Sequence, residues 1–154
     1  MTDCRDDPLY TIRASWDTVR DTEAQMNANL AAGVLSRIPQ LPEIRDLTSN
    51  LLLVFAFSVL EDALVRLRDA GRFAEPTRGL GRLMKASRDT LPWVDYKLVS
   101  SGREALNAFA HRREYSKHAA VAKYVDAISA ELSAWGQLDS DSRPNYTISV
   151  TPTS

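Results

Sequence analysis

Along the first forty positions, Ile12, Trp16, Val19, Met26 and Leu30 recur in steps of four and three, with Glu23 alone breaking the apolar row. That 3.6-residue period predicts a first helix from about Leu9 to Arg37. It opens after the cap-like Asp7-Pro8 pair and is stopped by Pro39-Gln40-Leu41-Pro42. A second helix is predicted from Pro42 or Asp46 to Ala70, ending at Gly71. Its centre, Leu51 to Phe57, is apolar on every side, the pattern of a helix enclosed by others. A polar loop over Arg72 to Gly81 leads to a short helix over Leu80 to Thr90, which breaks before Leu91-Pro92. A fourth helix is predicted from Trp93 to about Arg113, with Leu98, Ala105, Leu106 and Phe109 as its apolar stripe and Gly102 allowing a close neighbour. A fifth, Ser116 to Trp135, presents Val121, Tyr124, Val125, Ile128, Leu132 and Trp135 on one face and closes at Gly136. The expected fold is an all-α antiparallel bundle of four to five helices in one domain over residues 1–136, followed by a flexible tail over 137–154. Within that tail, Tyr146 to Val150 alternates like a strand.

Composition narrows the setting without altering the fold. A chain of 154 residues with 44% hydrophobic and 25% charged residues is ordinary for a globular domain. The ten-residue run Leu51–Leu60 falls short of the ~20 apolar residues of a membrane span, so no membrane partner is expected. The charged N-terminus lacks a secretory pattern, and the single cysteine, Cys4, forms no internal bridge. A cytoplasmic setting is therefore expected. Net charge is −1 but unevenly spread, with 11 Lys and Arg against 5 Asp and Glu in residues 66–113. Most of that excess is arginine, whose planar fork suits phosphate.

The fourth helix carries the candidate chemistry. With ~100° of rotation per residue, Leu98, Gly102, Ala105 and Phe109 fall on one side and Arg103, Asn107 and His111 broadly on the other. His111, one of two histidines in the chain, is thereby expected to point to water or to a second subunit. Asn107 lies one turn away, within reach of its ring or of a ligand oxygen.

The tract Asn107-Ala108-Phe109-Ala110-His111-Arg112, late in an all-helical chain, resembles the signature helix of HEPN domains, as does the following Tyr124-Val125-Asp126-Ala127-Ile128. The resemblance covers roughly residues 47–136. It implies a helical domain acting on RNA as a homodimer, with metal-independent endoribonuclease activity of the kind found in toxins and defence systems. The catalytic residues it implies are Arg103, Asn107 and His111, with Arg112, Arg113 and Lys117 binding RNA. In the register that aligns Asn107 and His111, Leu106 stands where the family has an arginine, leaving Arg103 or Arg112 to substitute. The family's arginine-to-histidine spacing is matched literally only by Arg112 or Arg113 with His118, near an expected helix break.

In such a reaction the 2′-hydroxyl attacks the adjacent phosphate and the 5′-oxygen leaves. Histidine's ordinary pKa near 6.5 lets it act as acid or base, and arginine supplies fixed charge for the phosphorane. One chain offers one such histidine, and a two-fold dimer offers two. No His-x-x-x-His pair, Cys-x-x-Cys pair or Gly-rich phosphate loop occurs, so neither metal nor cofactor is expected. Trp16, Trp93 and Trp135 read as core residues, whereas Tyr96 and Tyr115 lie nearer the basic region, where one could stack on a base. The alternative is a non-catalytic dimerisation or binding module that keeps the fold, with a cognate antitoxin or other protein as its partner.

Overall fold

A computed structural model of the chain describes residues 8–31 and 41–138. It contains α1 (Pro8–Ala31), α2 (Leu41–Asp69), α3 (Leu80–Ser87), α4 (Tyr96–Arg112) and α5 (His118–Ala134), and the described residues include no strand. The molecule is an all-α helical bundle. The expected extension of the first helix to Arg37 and the alternating segment Tyr146 to Val150 lie outside the described residues, as does most of the expected tail.

Because α2 is the most continuously apolar stretch, it forms the axis of the bundle and packs against each of the other four helices. Leu53, Ala56, Leu60, Ala63 and Leu64 are wholly buried along it. From α1, Ile12, Trp16, Val19 and Met26 enter the same core, as their spacing predicts, and from α5 come Val121, Val125, Ile128 and Leu132. Glu23, the polar residue in the α1 row, turns aside to pair with Arg20 at 2.8 Å. Arg20 also reaches Asp126 of α5 at 2.9 Å. Trp16 Nε1 donates to Ser129 Oγ at 3.3 Å, which helps lock α1 onto α5.

Three expectations need correction. The all-round apolar character of α2 predicts an enclosed helix, yet Leu47, Leu51, Val54 and Phe55 are 39%, 55%, 40% and 40% exposed. Four neighbouring helices leave one side of α2 open. The fourth helix begins at Tyr96 rather than Trp93, because Asp95 accepts from Leu98 N at 3.0 Å and supplies the N-cap. Its fully buried anchor is Val99, which the expected stripe omits. Lastly, Gln137, placed by sequence in the tail, is buried and accepts from Arg66 at 3.1 Å, so the ordered domain reaches Leu138.

Gly102 sets how closely α4 can approach α2 and α5. A Cβ there would stand 3.0 Å from Tyr124 Cγ and 3.1 Å from Phe57 Cζ. Gly102→Ala gains about 1 kcal/mol of helix propensity but forces two rings apart, at a cost of about 1–3 kcal/mol. A net loss of up to about 2 kcal/mol is expected, read as a lower urea midpoint at unchanged slope.

Candidate active site on the fourth helix

The α4 helix carries its polar row outward because Val99 and Gly102 are the positions it buries. Arg103 is half-buried, Asn107 is exposed and His111 is exposed in the last turn. A cation at that end is favoured by the partial negative charge of the helix C-terminus. Arg113 then ends the helix in the left-handed conformation at φ 54°, its N–H returned to Ala108 O and Phe109 O. Arg113, Lys117 and Arg112 are all exposed around this junction. Arg112 is turned to Glu114, with Nε 3.1 Å from Oε1. That contact is solvent-exposed on both sides and energetically weak.

Of the residues expected to act together, Arg103 and Asn107 do share a site. They line one groove of about 380 Å³ with Val54, Glu61, Gly81 and Leu106. The Arg103 guanidinium lies against Gly81, with Nη1 2.9 Å from where a Cβ would be. His111 does not line this groove. Its imidazole makes no hydrogen bond with Asn107 or any other described residue, and Arg112 is directed away to Glu114. Leu106 points between groove and core, partly buried against the apolar cluster. A side chain at that position therefore reaches the groove wall.

The second histidine has a structural position. His118 opens α5, where Asp46 Oδ1 accepts its backbone N–H at 3.3 Å and Ser49 Oγ lies 2.7 Å from its Nδ1. Beside it the buried Asn50 amide donates to Asp46 O and Ser116 O at 2.6 and 2.8 Å and accepts from Ser116 N at 3.1 Å. These bonds tie the α4–α5 connection to the start of α2. They account for His118 as an anchor of that connection, with its ring held by a serine that has no exposed surface. Sequence reasoning missed this cluster, because four of its hydrogen bonds join residues 66 to 72 positions apart.

Glu131 is a further residue without a sequence signal. It is fully buried on α5, and its carboxylate accepts from Val94 N at 2.6 Å and from Asp95 N at 2.9 Å. It thereby fixes the turn that launches α4. Burial pushes its carboxyl above the usual carboxylate range; the two backbone hydrogen bonds oppose that shift and the nearby Asp95 charge adds to it. Trp93 packs edge-on against Trp135 at 4.7 Å and Tyr96 at 4.9 Å in the same region. Tyr96 also lies beneath Arg88, 4.9 Å from its guanidinium carbon. Tyr115 is exposed and leans on Phe109 at 5.5 Å.

Among the described residues, no three His, Cys, Asp or Glu side chains gather as metal ligands, and no helix is long and apolar enough to cross a membrane. Compared with known protein families, curated proteins and solved structures, the chain matches none.

Proposed function

We propose that this chain is a HEPN-like helical domain that acts on RNA through the outward face of α4, working as a pair of identical subunits. The observation that carries the reading is the placement of Arg103, Asn107 and His111 as an outward row beside the open apolar side of α2. The row supplies a guanidinium, an amide and an imidazole, with His111 held by no described residue. The apolar side supplies a surface that a second copy would cover. Val54 belongs to both, since it is exposed on α2 and lines the groove with Arg103 and Asn107.

In this reading one His111 takes the proton from the 2′-hydroxyl and the His111 of the second copy delivers one to the departing 5′-oxygen. Arg112, adjacent to His111 in the chain, stabilises the phosphorane, Arg113 and Lys117 hold the backbone, and Arg103 binds RNA within the groove it lines. The test is incubation of single-stranded RNA in chelator. The expected products carry 2′,3′-cyclic phosphate ends, and His111→Ala removes them. Cleavage undiminished in that variant rejects the assignment.

Leu106 favours a second reading, in which the paired domain binds RNA or a protein partner without cleaving. It stands at the position where the resemblance calls for an arginine, and its side chain packs on the core. This reading predicts no RNA turnover, with a binding partner retained on the α4 face.

A further inference from the structure

The groove between α2, α3 and α4 contains two opposite charges that no described side chain satisfies. Glu61 projects from α2 and Arg103 from α4, both half-buried. Neither side chain makes an ion pair or hydrogen bond with a described residue. Most of the remaining wall is apolar, formed by Val54, Phe57, Leu80 and Leu106, with Ser58 and Asn107 as its uncharged polar members. Unpaired charges over an apolar floor form a site for a flat ligand that donates at one edge and accepts at another.

Resting on the RNA reading above, the geometry points to this groove as a subsite for a guanine base. Guanine presents two adjacent donors, N1–H and the N2 amino group, which a carboxylate accepts together. It presents O6 and N7 as paired acceptors, which an arginine fork meets with two N–H groups. Glu61 takes the first role and Arg103 the second, with the ring laid on the floor beside Leu106. Uracil offers a single ring donor flanked by acceptors. Adenine and cytosine each offer the carboxylate only an amino group. Guanine alone uses both oxygens of Glu61 while still giving Arg103 two acceptors. Asn107, an exposed residue of the groove wall, lies one helical turn before His111, about 6 Å along the axis. A base held here presents its sugar and phosphate toward that histidine.

Fluorescence anisotropy in chelator with four labelled heptamers tests this, each a uridine heptamer with guanine, adenine, cytosine or uracil at the central position. The guanine heptamer is expected to bind about tenfold more tightly than the other three. Glu61→Gln is expected to abolish that preference while leaving the all-uridine affinity unchanged. Equal affinity for all four, preference for another base, or a guanine preference that survives Glu61→Gln overturns the subsite and leaves the RNA reading standing. Failure of every heptamer to bind overturns both.

Discussion

Replacing Glu131 with alanine is expected to destabilise the protein by about 2–4 kcal/mol, the range for orphaning partly buried backbone donors and losing charged hydrogen bonds. Val94 N and Asp95 N would lose their acceptor, and a cavity would open beneath the turn that starts α4. Glu131→Gln is expected to lose less, since one amide oxygen still accepts. The pH dependence distinguishes the two forms of the side chain. Because burial raises the folded pKa of Glu131 above its unfolded value, the folded state binds the proton more tightly. Its contribution is therefore fully present below the ordinary glutamate pKa, near 4.3, and is lost as pH rises through the higher folded value. The stability advantage of the native protein over Glu131→Gln should shrink from that acid limit toward neutral pH. Urea titrations at a series of pH values measure it, and an advantage that grows with pH contradicts the assignment.

The second large effect concerns the reaction itself. If His111 transfers the proton, His111→Ala should lower RNA cleavage by about 10²–10⁴-fold, the usual contribution of a positioned acid or base. Leu106→Arg carries the complementary expectation. Leu106 stands at the groove wall, at the position where the resemblance calls for an arginine, so a guanidinium extended from it toward His111 would add charge beside the phosphorane. A single such donor contributes about 10²–10³-fold to rate in other enzymes, and cleavage by Leu106→Arg should exceed that of the native chain by about 10²-fold. Gel quantitation of cyclic-phosphate products under single-turnover conditions reads both variants. An unchanged rate in His111→Ala would reject the His111 assignment, whereas a native chain and Leu106→Arg that are equally inert would favour the binding-only reading.

The bundle was legible in the sequence wherever burial follows helical period. Ile12, Trp16, Val19 and Met26 on α1, and Val121, Val125, Ile128 and Leu132 on α5, are buried where their spacing puts them. What escaped depends on partners distant in the chain. Nothing local marks Glu131 as the acceptor for Val94 and Asp95, or Asn50 as the clamp on Ser116. The apolar run of α2 has the same limit. Its composition does not reveal that Leu51, Val54 and Phe55 face a side that no other described helix covers. On α4, periodicity correctly turned Arg103, Asn107 and His111 away from the core. It gave no means of knowing that Arg103 and Asn107 would share a groove with Glu61 while His111 stands beyond it.

The most direct measurement is amide chemical-shift mapping of the isotope-labelled protein titrated with single-stranded RNA in chelator. Engagement through the outward face of α4 predicts saturable shifts concentrated over residues 103–117, with α1 undisturbed. Shifts confined to α1 and α5, or none at RNA concentrations far above those of the protein, would contradict it.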